Sequence, residues 1–294
     1  MSLAKVNNKV VKEVDKNAGR LFTIKTFKSV IIKNLIEVVK PYLKECNIRI
    51  TPEYLKISTM DDAKKIITYI KLDAPNFESY HCKKNKTIGI EIITLYKAIK
   101  SATKRDTITL YIEESNPNKL CVDLVDPVQG KFKKYKIQLL ALDNDKIIDI
   151  QDMTFDYTIN MPSIEFQKII KDIHLLEGKI VDIKSIGRQI VFSCTDGIAE
   201  FKTSLSEIDD NLTKEQKALL QQNGEDIKTV KFEKNSNDIV QGRFKMVYLM
   251  YFIKASHISD SMTILLANDK PLVLKYNVAD LGNLNLLLMP EITH

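Results

Sequence analysis

The chain has 294 residues, 44% of them apolar, with 44 Lys plus Arg against 38 Asp plus Glu and a formal charge of +6. That length exceeds the roughly 100 to 200 residues of one domain, so two compact units are expected, and so mild a positive excess makes the placement of the lysines more telling than their sum. Four dispersed cysteines without a C-x-x-C pair speak against a zinc site or disulfide framework, and the absence of a signal-like apolar core near Met1 or of any membrane-length apolar run points to a soluble intracellular protein.

Residues up to about Gly19 read as an extension ahead of the first unit. Alternation at Leu21, Phe22, Ile24 and Phe27 predicts a short strand leading into a helix over 29–44, with Ser29 as its N-cap. Ile31, Leu35, Val38 and Tyr42 would share one face, and Pro41 should shorten the last turn. Strands are expected at 48–50, 54–57 and 66–72, the first two separated by a Thr51-Pro52-Glu53 turn. A second helix is expected over 94–103, followed by strands at 107–113 and 120–125. Ile137 to Leu142 is apolar, but residues 143–152 alternate acids with isoleucines and form neither pattern fully, as an interdomain connector would. Beyond it Met161-Pro162-Ser163 opens a third helix, a fourth is expected over 245–255, and a hairpin at 262–266 and 272–276 turns at Asn268-Asp269.

The order of elements therefore repeats. Tyr96-Lys97-Ala98-Ile99-Lys100-Ser101 precedes Thr107-Ile108-Thr109-Leu110, as Tyr251-Phe252-Ile253-Lys254-Ala255-Ser256 precedes Met262-Thr263-Ile264-Leu265. Two similar α+β domains are expected, at 21–138 and 156–294, joined by a connector at 139–155 and preceded by an extension at 1–20.

Projected at about 100° per residue, Lys33, Lys40 and Lys44 fall within roughly 40° of one another, opposite the apolar stripe of the first helix. Lys97, Lys100 and Lys104 cluster opposite Leu95, Ile99 and Ala102 on the second. The third places Lys168 and Lys171 away from Phe166, Ile170 and Ile173, flanked by Glu165 and Asp172, and the fourth contributes Lys254. The polar face of any surface helix collects lysine, but recurrence over successive helices favours a shared polyanionic partner. Lysines on flexible stems suit phosphate contact without sequence readout, and no Arg, Asn or Gln cluster is placed to read base edges.

Evidence for chemistry is thin. Asp61 and Asp62 adjoin a strand end, where they form either a polar turn or the start of a metal-dependent nuclease site. Asp209-Asp210 have no obvious partners. His81 and Cys82 are neighbours on a strand and point to opposite faces, His174 and His257 end helical segments, and no P-loop motif is present. No catalytic residue, metal or cofactor is assigned.

Several collinear fragments resemble the sliding-clamp family of proliferating cell nuclear antigen. Ser58-Thr59-Met60-Asp61 is similar to its Ser-Met-Asp segment, and Phe77-Glu78-Ser79-Tyr80-His81-Cys82, with Gly89 following, to its Phe-x-x-Tyr-x-Cys. Met161-Pro162-Ser163 with Glu165-Phe166, and Pro271-Leu272-Val273 with Tyr276, Ala279-Asp280, Gly282, Leu284 and Pro290, match in order. The resemblance implies a non-enzymatic processivity factor with a DNA-clamp fold. It would be a homotrimeric ring of two-domain subunits, with helices lining the hole and antiparallel sheets outside and across subunit contacts.

The lysines above would then face duplex DNA. A pocket beside the connector, matching Met60, Ile67, Ile148, Ile150, Pro271, Leu287, Leu288, Met289 and Pro290, would take short peptides of the PCNA-interacting type. Implied partners are DNA polymerase, other replication or repair proteins and an ATP-dependent clamp loader, with no membrane, in the nucleus or at a viral replication site.

The chain departs from the family pattern in places. A one-residue shift in the connector leaves Ile147, Ile148 and Ile150 interchangeable, and Leu287 stands where a tyrosine is common. Gly187, beside Lys184 and Arg188, occupies the position of a modifiable lysine. Residues 205–226 are longer than usual, Glu291 to His294 replace an acidic tail, and the N-terminal extension has no counterpart. Two other readings stay open: an accessory clamp-like scaffold that forms no homotrimer, and the nuclease built on Asp61 and Asp62.

Overall fold

Residues 18–143, 153–207 and 230–291 are described by the computed structural model. The first half runs β1 (Arg20–Thr26), α1 (Ser29–Val39), β2 (Glu45–Ile50), β3 (Tyr54–Met60), β4 (Ile66–Asp73), β5 (Ser79–Cys82), β6 (Lys86–Glu91), α2 (Ile92–Ile99), β7 (Thr107–Glu113), β8 (Lys119–Asp126) and β9 (Lys131–Gln138). The second runs β10 (Tyr157–Pro162), α3 (Ser163–Leu175), β11 (Ile180–Ile186), β12 (Gln189–Cys194), β13 (Phe201–Ser206), β14 (Lys231–Lys234), β15 (Val240–Lys245), α4 (Met246–Phe252), β16 (Ser261–Leu266), β17 (Leu272–Val278) and β18 (Gly282–Leu288). Among the described residues each half has nine strands and two helices in one order, so the duplication read from the sequence is present in full.

Pairing repeats as faithfully. Strands β5-β1-β7-β8-β9 form one sheet and β4-β3-β2-β6 another in the first half; their counterparts are β14-β10-β16-β17-β18 and β13-β12-β11-β15. The halves join because β18 pairs antiparallel with β4, from Gly282 opposite Leu72 to Leu288 opposite Ile66, which merges two of these sheets into a nine-stranded one. Among the described residues, strands β9 and β13, the counterparts of the two strands in that seam, are left as sheet edges.

Helix α1 differs from its expected form in its start and its face. Lys28 is the N-cap and its carbonyl accepts the Ile32 N–H at 3.1 Å. Ser29 is already helical, and its hydroxyl donates instead to the Thr103 carbonyl at 2.8 Å. Ile32, Leu35, Ile36, Val38 and Val39 are buried, while Ile31 and Tyr42 are partly covered, so the apolar stripe is rotated from the one projected. Burying such a side chain contributes about 1.5–3 kcal/mol, which outweighs the missing side-chain cap at roughly 1 kcal/mol. The helix ends at Val39, just ahead of Pro41, which has no N–H to continue it.

Helix α2 begins two residues earlier than expected and ends at Ile99; Leu95, Ile99 and Ala102 are buried as projected. Strand β9 was not anticipated, because its KFKKYKIQ sequence exposes lysines rather than alternating cleanly. It follows β8 across a hairpin, and the chain then bridges to β6, where the Leu140 N–H meets the Gly89 carbonyl at 2.9 Å. A Cβ at Gly89 would lie 2.5 Å from the Leu140 oxygen, which is why glycine is required at this crossing.

Alternation along the seam strands sorts side chains onto two faces. Ile66, Ile70, Leu284, Leu286 and Leu288 join the main core shared with all four helices, whereas Ile67, Val273, Leu265 and Leu287 point to the opposite face.

Candidate functional site

The helices gather in one layer. Helix α2 packs on α1, α1 on α4 and on the 3₁₀ turn Ile253–His257 that follows it, and α3 on both of these. Asn34 donates from Nδ2 to the His257 carbonyl at 3.0 Å and Gln167 from Nε2 to the Ile253 carbonyl at 3.1 Å, tying that turn to both neighbours.

The nine predicted lysines are distributed over this layer and its margins. Lys97, Lys168 and Lys171 are exposed on α2 and α3. Lys33, on α1, donates to the Ala102 carbonyl at 3.3 Å, and Lys40, just past its end, lies 3.8 Å from the Tyr96 ring centre. Lys100 and Lys104 fall after α2, and Lys254 sits in the 3₁₀ turn rather than on α4.

Lys44 departs from the expected stripe. It lies past the end of α1, and its ammonium pairs with Asp62 at 2.7 Å, which raises its pKa through the hydrogen bond to that carboxylate. Lys168 has Glu165 at 3.7 Å; both pairs are exposed, where such contacts contribute little.

Four residues of the second expected site, Met60, Ile67, Leu287 and Met289, gather on the opposite face of the nine-stranded sheet. Met60 lies opposite Ile67, Ile67 opposite Leu287, Leu287 opposite Val273 and Val273 opposite Leu265, an unbroken row across five strands. Phe155 and Ala267 complete this apolar cluster, with Met60, Tyr69, Met153 and Met289 partly exposed at its rim. Ile67 and Leu287 are its floor, at 2% and 0% exposure, and the methionines and Tyr69 form its accessible margin.

The structure separates two predicted residues from this cluster. Leu288 follows Leu287 by one position and so points into the main core. Pro290 faces a polar groove with Asp182, Ile239 and Arg243, whereas Pro271 lies just before β17, two positions ahead of Val273 in the cluster. Ile147, Ile148 and Ile150 lie outside the described residues, as do most of 205–226 and of the N-terminal extension. Tyr69, Phe155, Val273 and Leu265 were missed; the period-2 alternation of the seam strands, continued across the sheet, was the signal that could have found them.

Residues 289–291 are held beside this cluster. The Met289 N–H donates to the Lys65 carbonyl and the Glu291 N–H to the Arg243 carbonyl, at 2.9 and 2.8 Å. The Glu291 carboxylate is 3.3 Å from both Lys65 and Lys245. Desolvation works against the charged form there, but the two ammonium groups outweigh it and hold the Glu291 carboxyl below its usual value.

Asp61 and Asp62 have structural employment. The Asp61 Oδ1 accepts the Lys65 and Ile66 N–H groups at 2.8 and 2.6 Å, closing the β3–β4 hairpin, while Asp62 takes Lys44. Among the described residues no group of three or more His, Cys, Asp and Glu could hold a metal ion, and no described helix is long and apolar enough to cross a membrane. Gly187 sits at φ +54° in the β11–β12 turn, a conformation that lysine adopts only with strain.

Comparison with known proteins agrees with this architecture. The family model described as proliferating cell nuclear antigen, N-terminal domain, matches residues 21–147, and the one described as its C-terminal domain matches 149–291. The chain is also 27% identical over 274 residues to a probable DNA polymerase sliding clamp 1 from Paramecium bursaria Chlorella virus 1, across 92% of this chain and 97% of that protein.

Proposed function

The chain belongs to the proliferating cell nuclear antigen family, and from that premise we propose that it forms a homotrimeric ring that encircles duplex DNA without reading its sequence. The ring tethers DNA polymerase and other replication or repair proteins, and so acts by topology and effective concentration rather than by catalysis.

The observation that carries this reading is the β18–β4 seam. Its counterparts by internal repeat, β9 and β13, are edge strands. A second copy that lays its β13 along β9 repeats the intrachain joint between chains. Such a head-to-tail contact closes into a ring when its rotation divides a full turn, and three copies of two similar units give six. Encirclement also supplies the edge protection that an unpaired strand otherwise lacks.

In that ring the helix layer lines the hole, and Lys33, Lys97, Lys100, Lys104, Lys168, Lys171 and Lys254 meet phosphates. The cluster of Met60, Ile67, Leu287 and Met289 lies on the outward sheet face, where a partner's short peptide inserts apolar side chains. The units are 21–138 and 156–294, with 139–155 as the connector. Ring opening falls to a separate ATP-driven loader, and the site of action is the nucleus or a viral replication site.

Mass in solution, combined with retention on circular against linear DNA, tests the reading. A trimer that stays on circles and runs off free ends supports it. A monomer with no preference for circles overturns it in favour of an accessory scaffold.

A further inference from the structure

The turn that ends α2 collects basic side chains from separate elements. Lys33 of α1 donates to the Ala102 carbonyl at 3.3 Å, and Lys133 of β9 reaches over to donate from Nζ to Ser101 Oγ at 2.9 Å. Lys100 immediately precedes these two acceptors and Lys104 follows them; both are exposed, and neither forms an ion pair among the described residues.

The turn itself is rigidly held. The Asp106 carboxylate accepts the Thr103 N–H and hydroxyl at 2.6 and 2.8 Å, and Ser29 fixes the Thr103 carbonyl. The nearby acids are occupied: Asp106 by Thr103, and Asp126 by the Val128 and Gln129 N–H groups and by Arg105 at 3.5 Å. Glu37 lies one helical turn from Lys33 without an ion pair to it among the described residues.

The internal repeat provides a control within the same molecule. The counterpart of this turn, after α4, keeps Lys254 in the place of Lys100 but carries Ile258 and Ser259 in place of Lys104 and Arg105. The counterpart of β9 is β18, Gly-Asn-Leu-Asn-Leu-Leu-Leu, which has no lysine. On the second half's helices Lys168 has Glu165 beside it and Lys171 adjoins Asp172, while Val247 is an exposed apolar residue of α4. The same fold thus carries more basic groups at this place in one half than in the other.

We infer that Lys33, Lys100, Lys104 and Lys133 around the α2 turn form a phosphate-docking ledge for the nucleic-acid backbone, so that the first half of each subunit, and not both equally, holds the duplex. The assignment rests on the clamp reading above and adds Lys133, a strand residue, to the contact surface. Ammonium groups on flexible stems bind phosphate without sequence preference, and each phosphate neutralised steepens the salt dependence of binding by about 0.9 in a log–log plot.

The test compares two double variants of the full chain, K104Q/K133Q and K168Q/K171Q, which remove equal charge. Binding of a short mixed-sequence duplex is followed by fluorescence anisotropy between about 50 and 200 mM salt. The ledge predicts that K104Q/K133Q lowers the salt slope by about 1–2 and weakens binding several-fold, with K168Q/K171Q changing both less. Equal or larger losses in K168Q/K171Q, or an unchanged K104Q/K133Q beside a wild type that binds, overturn the ledge alone. A wild type that leaves the duplex free even at about 50 mM salt overturns the clamp reading with it.

Discussion

Ile67 and Leu287 face one another across the seam between the halves, and with Met60, Val273 and Leu265 they form the apolar row on the outward face of the sheet. One contact therefore serves both the join between units and the floor of the proposed peptide site. Leu287→Ala should cost about 2–5 kcal/mol by urea unfolding, as deletion of a fully buried leucine does. Met60→Ala, at the rim, should cost far less yet weaken binding of a clamp-interacting peptide several-fold by calorimetry. Unchanged peptide affinity in Met60→Ala would remove the rim from the site.

The hairpin that presents Met60 depends on Asp61. Removal of a carboxylate that accepts two N–H groups leaves both donors without partners, so Asp61→Ala should destabilise by about 1–3 kcal/mol in equilibrium unfolding. Asp61→Asn, which keeps one acceptor oxygen, should recover part of that loss.

Acid should loosen residues 289–291 before the core. Because the Glu291 carboxyl is held below its unfolded value, its contribution is complete above about pH 4.3 and is lost as pH falls through the lower folded value. Amide exchange at Met289 and Glu291 should rise selectively in that window. In Glu291→Gln those two amides should exchange without the pH step.

The β9 edge carries an exposed Phe132 that the isolated chain does not explain. If β9 mates with β13 of another copy, Phe132→Asp should place an unpaired charge in the contact and shift sedimentation from trimer toward monomer, with thermal unfolding of the monomer little changed. A trimer undiminished by the substitution would place the contact elsewhere.

Gly89→Ala would force its Cβ against the Leu140 oxygen. A cost of about 1–3 kcal/mol is expected, the range for an overpacked position. Displacement of Leu139 to Leu142, which begin the connector, should accompany it as changed amide exchange in those residues.

Much of this was legible along the chain. The duplicated order of elements, the buried faces of α2 and α3 and the hairpin at Asn268-Asp269 follow from local periodicity and turn chemistry, which neighbouring residues determine among themselves. The family resemblance lay in collinear fragments that no periodicity supplies. Strand β9 and the N-terminal boundary of α1 were not legible: a lysine-rich edge strand is defined by the partner it pairs with, and Ser29 gave up a capping role because Thr103, distant in sequence, offered its carbonyl.

The sequence by itself determined two similar α+β units, basic helical surfaces and the absence of familiar catalytic motifs, since these depend on residue type and spacing over a few turns. Tertiary structure alone decided which strands join the halves and which stay open, that Leu288 points inward while Leu287 does not, and that Lys44 turns to Asp62 while Lys133 joins the helix face. Those outcomes depend on registers and contacts between residues far apart in the chain, and a register shifted by one position would have reversed each face.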